Sequence, residues 1–168
     1  MQTDFLLAIL PRCKNAGVHV ALDTCGVLPW DRYERVLKYV DLVLYDLKIM
    51  DAGRHRIATT TSNLLILENA RRIASLGKPM WIRTPVIPGY TQDFENIQSM
   101  GRFIQQELPS VERWDLLAYT NLGKPKYHRL DRTYMLEDTP LLRREEMEEI
   151  WQVAVKLAPV AQWSGVTR

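Results

Sequence analysis

Asp46 and Lys48 stand two residues apart at the end of an apolar run, Leu42–Tyr45. An extended backbone puts both side chains on one face with Leu47 turned away. A carboxylate beside an ammonium at that spacing serves one of two purposes. It is a structural rim salt bridge in which each charge offsets part of the other's desolvation, or it is a site where Lys48 holds an anion and Asp46 orients it. Polar groups recur at three further strand ends: Val18–Leu22 leads into Asp23-Thr24-Cys25-Gly26, Met80–Ile82 into Arg83 and then Pro85-Val86-Ile87-Pro88-Gly89, and Trp114–Leu117 into Tyr119-Thr120. The planar guanidinium of Arg83 suits a carboxylate or a peptide carbonyl, and Pro85 and Val86 offer apolar surface beside it. Thr120 can donate a hydrogen bond but does not titrate near neutral pH. Plainer readings stand next to these, with Asp23 capping a turn helped by Gly26 and Arg83 a solvated rim residue. In a parallel β/α array the carboxyl ends of the strands share one face, so all these groups are expected to converge there.

The elements that must position them follow from periodicity. The start, Asp4–Leu10, has apolar residues at helical spacing, with Asp4 as a cap, Pro11 as a disturbance and Gly17 as the stop. Pro29 opens a second helix whose buried stripe is Tyr33, Val36, Leu37 and Val40. Leu42–Tyr45 is apolar on both sides, as in a strand covered by helices. Residues Asp51–Thr61 read as loop or short helix. Ser62–Leu76 reads as a helix with Leu65, Leu67, Ala70, Ile73 and Leu76 inward, and Phe94–Leu108 as another with Ile97, Met100, Ile104 and Leu108 inward. The stretch Thr120–Asp138 is long and irregular, which marks it as functional or mobile. Thr139-Pro140 is expected to cap a last helix running to Leu157, before a short strand at Val160–Ser164. The result is one α/β domain over residues 1–168, a helix followed by four β/α units. A β/α protein ordinarily opens on a strand, so the chain reads as an amino-terminal truncation.

Composition narrows the function classes. A chain of 168 residues suffices for one sizeable core, and its 22 basic and 20 acidic side chains are interspersed to a net charge of +2. Neither nucleic acid nor an anionic membrane is implied as a partner, and no apolar run is long enough to span a bilayer. The two cysteines, Cys13 and Cys25, form neither a disulfide framework nor a zinc spacing, which fits a cytoplasmic protein. His19, His55 and His128 have no partners at metal-ligand spacing and are expected not to be ligands. Cys25 has no histidine placed to activate it.

Several segments, taken in order, resemble the glycyl radical enzyme activating enzymes of the radical S-adenosylmethionine superfamily. They are Ala21-Leu22-Asp23-Thr24-Cys25-Gly26, Asp41–Lys48, the leucine-rich Leu64–Gly77 with Glu68-Asn69, Trp81–Gly89, and Asp115–Tyr127. The resemblance runs from about residue 4 to the end and implies a partial (β/α) barrel, of which this chain would hold strands three to six. It implies S-adenosylmethionine and a [4Fe–4S] cluster as cofactors, with the cluster held by three cysteines in a CxxxCxxC loop. It implies flavodoxin or a similar electron donor, and a glycyl radical enzyme of the pyruvate formate-lyase kind as the partner that loses a glycine hydrogen. By the same resemblance Asp23 would lie beside the S-adenosylmethionine carboxylate with a monovalent cation mediating, and oxygens of Asp23, Thr24 and Asp46 are the right chemistry for such a hard cation. Lys48 would bind that carboxylate, Pro85 and Val86 would meet the adenine ring beside Arg83, and Thr120 would occupy a position that is histidine in well-known activases. The chain has neither the cysteine loop nor the glycine-rich Gly-Gly-Glu-Pro segment of the family. It is therefore expected to be inactive alone.

Two other readings remain open. One is a standalone β/α half-barrel that binds or assembles without radical chemistry. The other is an aldolase with Lys48 as a Schiff base, which needs a neutral amine, whereas Asp46 favours the charged form. Truncation also predicts that Val18–Leu22 is an unpaired edge and that the chain forms a dimer or larger species.

Overall fold

A computed structural model describes residues 2–168. Among these residues five strands form one parallel sheet in chain order: β1 Ala21–Thr24, β2 Leu42–Asp46, β3 Met80–Val86, β4 Val111–Ala118 and β5 Ala161–Ser164. Parallel neighbours need a crossover between them, and α2 Trp30–Leu37, α4 Leu64–Ser75, α5 Phe94–Glu107 and α7 Arg144–Leu157 lie in those connections. Sequential parallel strands with helices between them are an arc of a (β/α) barrel. Three further helices complete the chain: α1 Thr3–Asn15 before the sheet, α3 Ala52–Thr59 after β2 and α6 Lys124–Arg129 after β4.

The core is the layer between the helices and one face of the sheet. Val43, Tyr45, Met80, Ile82, Val86, Trp114 and Leu116 on the strands meet Tyr33, Val36, Ala70, Ile73, Ile97, Met100 and Ile104 on the helices, all buried. The opposite face carries Leu42, Leu44, Asp46, Trp81 and Arg83, all only half-buried. Two-sided helical cover, expected for β2, is therefore not present among the described residues; in a barrel arc the second face is the concave interior.

The strands run further than their apolar cores suggest. β1 is shifted, starting at Ala21 rather than Val18 and running on through Asp23 and Thr24, while β2 extends through Asp46, and β3 through Arg83 and Pro85 to Val86 rather than turning at the prolines. Backbone direction explains how Pro85 fits. Leu47 N donates to the Arg83 carbonyl and Tyr119 N to the Val86 carbonyl. Position 85 therefore faces the β2 side, beyond the last bond β2 makes, where a missing N–H leaves no ladder bond unmade.

Three helices differ from expectation. On α4 the buried face is Ile66, Asn69, Ala70, Ile73 and Ala74, while Leu65 and Leu76 are exposed. The face is rotated because Asn69 is buried to donate to the carbonyls of Gly26 and Leu28, each at 2.8 Å. The last helix begins at Arg144, not at Thr139-Pro140, and Glu146 caps it by accepting from Arg143 N at 2.6 Å. In α1 the helix continues past Pro11 to Asn15, and Asp4 lies inside it rather than at its cap.

Candidate functional site

The carboxyl ends of β1, β2 and β3 bring Asp23, Asp46 and Arg83 onto the concave face. Register accounts for it: Asp46 pairs with Arg83 and Asp23 pairs with Leu44, and laterally paired residues of parallel strands point the same way. Arg83 is the hub. Its Nη1 donates to Asp23 Oδ2 at 2.9 Å while Nη2 takes the second oxygen of the same carboxylate. Its Nε and Nη2 also donate to Asp46 Oδ1, at 3.0 and 2.7 Å. The other oxygen of Asp46 accepts from Lys48 Nζ at 3.1 Å. Two carboxylates and two cations thus alternate in one chain of contacts drawn from three strands, Arg83 on β3 reaching past β2 to Asp23 on β1, with a formal sum of zero. Donation to Asp23 comes first, then the nearby Asp46 charge, in holding the Arg83 guanidinium above its ordinary pKa against the opposing effect of burial.

The line ends at a cavity. Lys48 borders an apolar hollow of about 440 Å³ whose walls include Pro85 and Ile87 from β3 and its exit, Ile57 from α3, and Tyr127 and Met135 from the stretch after β4. Thr91 shapes its floor by donating to the Pro85 carbonyl at 2.5 Å and accepting from Ile87 N at 2.8 Å. That stretch after β4 is ordered by its own contacts, including Lys124 with Glu137, and it contains α6.

Some expected residues stand elsewhere. Thr24 points to the helix side, where its hydroxyl lies 2.9 Å from the Tyr33 hydroxyl. Val86 is fully buried in the same layer. Neighbours along a strand face opposite ways, so within Asp23-Thr24 and Pro85-Val86 only one member of each pair reaches the mouth. The oxygen set expected for a cation is thus not assembled: Thr24 is turned away and both Asp23 oxygens accept from Arg83. Thr120 follows β4, half-buried. Cys25 is half-buried too.

Sequence reasoning missed a second polar group deeper on the concave face. Asp115, buried beside Arg83 in register, accepts from Arg113 Nε at 2.8 Å and Gln162 Nε2 at 2.7 Å. Arg113 in turn lies over the Trp81 ring, 4.6 Å from its centre. Charged residues at alternate positions, Arg113 and Asp115, flanking the apolar Trp114, were the legible signal.

No family model matches this chain. It is 39% identical over 148 residues to the trans-4-hydroxy-L-proline dehydratase activating enzyme of Clostridioides difficile, which covers 88% of this chain and 49% of that protein. It is 36% identical over 143 residues to the pyruvate formate-lyase-activating enzyme of Streptococcus mutans, covering 82% of this chain and 54% of that protein. A solved domain of pyruvate-formate lyase-activating enzyme from Bacteroides vulgatus superposes with a TM-score of 0.81 at 28% identity, covering 97% of this chain and 91% of that one. Over most of its length the chain is similar to glycyl radical enzyme activating enzymes.

It spans about half the length of the curated activating enzymes it matches. The two cofactors the family implies fit these residues differently. Cys13 on α1 and Cys25 past β1 are the chain's two cysteines, and among the described residues no three of His, Cys, Asp or Glu converge to hold a metal. The [4Fe–4S] cluster does not fit them. S-adenosylmethionine fits better. Lys48 spends one contact on Asp46 and keeps donors free for a carboxylate, while the adjoining cavity offers apolar walls to a ring.

Proposed function

We propose that these residues are part of a radical S-adenosylmethionine activase, an oxidoreductase that installs a glycyl radical on a partner enzyme such as pyruvate formate-lyase. One observation carries the reading: the line Asp23–Arg83–Asp46–Lys48 opens at Lys48 onto an apolar cavity at the carboxyl ends of the strands. In this reading Lys48 binds the methionyl carboxylate. Asp46 fixes the ammonium by its contact, Arg83 fixes Asp46, and Asp23 neutralises what remains of the guanidinium. Pro85 and Ile87 give the adenine ring an apolar wall. Bound S-adenosylmethionine supplies the hydrogen-abstracting radical in the family, while these side chains bind, orient and shed water from it.

The three cluster cysteines are not among residues 1–168, so this stretch alone is expected to generate no radical. A flavodoxin-like electron donor belongs to the same proposal for the whole activase. Saturation-transfer NMR of the purified chain with S-adenosylmethionine tests the binding role. Weak transfer to adenine and methionyl protons is expected, with affinity lowered about tenfold in Lys48→Ala, the loss of one charge-assisted contact. Transfer that survives Lys48→Ala unchanged, or that never appears in the wild type, contradicts the reading.

A further inference from the structure

The β2 ladder ends at Asp46, yet the extended pattern does not. From Leu42 to Met50 burial alternates without a break, with Val43, Tyr45, Leu47 and Ile49 buried and the residues between them half-buried. The last backbone bond to β3 is Leu47 N to the Arg83 carbonyl. Beyond it an extended chain needs other partners for its N–H and C=O groups, or it curls and carries Lys48 off the face it shares with Asp46. Two buried asparagine side chains supply them. Asn96 donates from Nδ2 to the Lys48 carbonyl at 3.0 Å and accepts from Met50 N at 2.8 Å. One amide thereby bonds the C=O of residue 48 and the N–H of residue 50, as a neighbouring parallel strand would bond the residues flanking Ile49. Asn63 donates to the Ile49 carbonyl at 3.0 Å and the Met50 carbonyl at 2.7 Å.

Both asparagines are themselves held. Asn96 sits in the first turn of α5, where its backbone N–H donates to Asp93 at 3.0 Å, and it is 4% exposed. Asn63 directly precedes α4 and is 2% exposed. An amide at such depth is costly unless bonded; both ends of the Asn96 amide and the Nδ2 of Asn63 bond backbone groups of Lys48, Ile49 and Met50, while Asn63 Oδ1 has no partner among the described residues.

We infer that Asn96 and Asn63 are positioning residues that extend the sheet edge by two residues and so aim Lys48 along the concave face. The geometric part concerns this chain alone; its bearing on S-adenosylmethionine rests on the function proposed above.

Reductive methylation with ¹³C-formaldehyde, read lysine by lysine by NMR, tests it without ligand or activity. Lys48 is expected to react more slowly than the exposed Lys156. Asn96→Ala is expected to speed Lys48 roughly five- to tenfold and leave Lys156 unchanged, as local opening follows the loss of two hydrogen bonds. Asn96→Asp keeps the acceptor for Met50 N but presents no donor to the Lys48 carbonyl, so an intermediate rate is expected. Asn63→Ala is expected to act in the same direction, and these two variants carry the test if Asn96→Ala does not fold. Phe103→Leu, buried on the same helix and distant from the clamp in its bonding, serves as a stability control. A Lys48 rate unchanged in folded asparagine variants overturns the inference. So does equal acceleration by a Phe103→Leu variant of matched thermal stability. S-adenosylmethionine binding that ignores Lys48→Ala would overturn the functional reading and leave the clamp intact.

Discussion

At the scale of single residues, Arg83 decides how the mouth is charged. Its guanidinium pairs with both Asp23 and Asp46, and its side chain is 24% exposed. Arg83→Ala brings two carboxylates together with no cation between them and is expected to lower stability by about 1–3 kcal/mol in urea unfolding. Arg83→Lys is expected to recover only part of that, since one ammonium cannot span both carboxylates. Asp93 gives a pH signature. Burial opposes its ionisation, but the Asn96 N–H and the Arg54 guanidinium, 2.5 Å from Oδ2, outweigh burial and hold the carboxyl below its ordinary 3.8. A lowered folded value means the stabilisation is complete above 3.8 and is lost as pH falls through the folded value. Asp93→Asn is therefore expected to flatten the acid limb of a urea-midpoint profile between about pH 2 and 5. An acid limb identical to the wild type's would count against that. Asp23, Asp46, Lys48 and Arg83 were legible because charge at the end of an apolar run is unusual. Thr24 and Val86 were misplaced because both strands run on through them, and alternation turns every second side chain to the helices.

At the scale of elements, the turn after β1 is locked to β2 and α4. Gly26 has φ of 72°, and a Cβ there would lie 1.6 Å from the Tyr45 hydroxyl oxygen. That hydroxyl donates to the Ile66 carbonyl at 2.6 Å, and burial drives its pKa well above 10. Tyr45→Phe is expected to cost about 1 kcal/mol. Gly26→Ala is expected to cost about 2 kcal/mol or more, because strain and clash combine. In the double variant the losses should sum to less than the singles, since removing the hydroxyl opens part of the space. Strict additivity in a double-mutant cycle would contradict this packing. Helix existence was readable from periodicity, as the buried Ile97, Met100, Ile104 and Leu108 around α5 show. The face of α4 was not. Periodicity counts leucines, whereas the turn at Gly26–Leu28 needs Asn69 inside. The asparagine clamp was equally hidden, because residues 48, 63 and 96 meet only in three dimensions.

For the whole molecule, the order of the sheet leaves β1 paired on one side among the described residues, with Ala21 and Asp23 exposed. Unpaired N–H and C=O groups along such an edge favour association. Light scattering is expected to give a dimer or larger species, and a clean monomer at high concentration would contradict it. The parallel α/β arc was legible from strand ends alternating with helical runs. Its concave face was not, since a strand apolar on both sides looks alike whether helices or a barrel interior cover it. These residues are proposed as the cofactor-orienting part of an activase. Exchange tests that role most directly. Residues of this chain would replace the matching stretch of the C. difficile hydroxyproline dehydratase activating enzyme, and the glycyl radical on the dehydratase would be followed by EPR. A radical signal is expected with the chimera, and its loss with Lys48→Ala. A chimera that folds and carries its cluster but yields no radical, or a signal indifferent to Lys48→Ala, would contradict it.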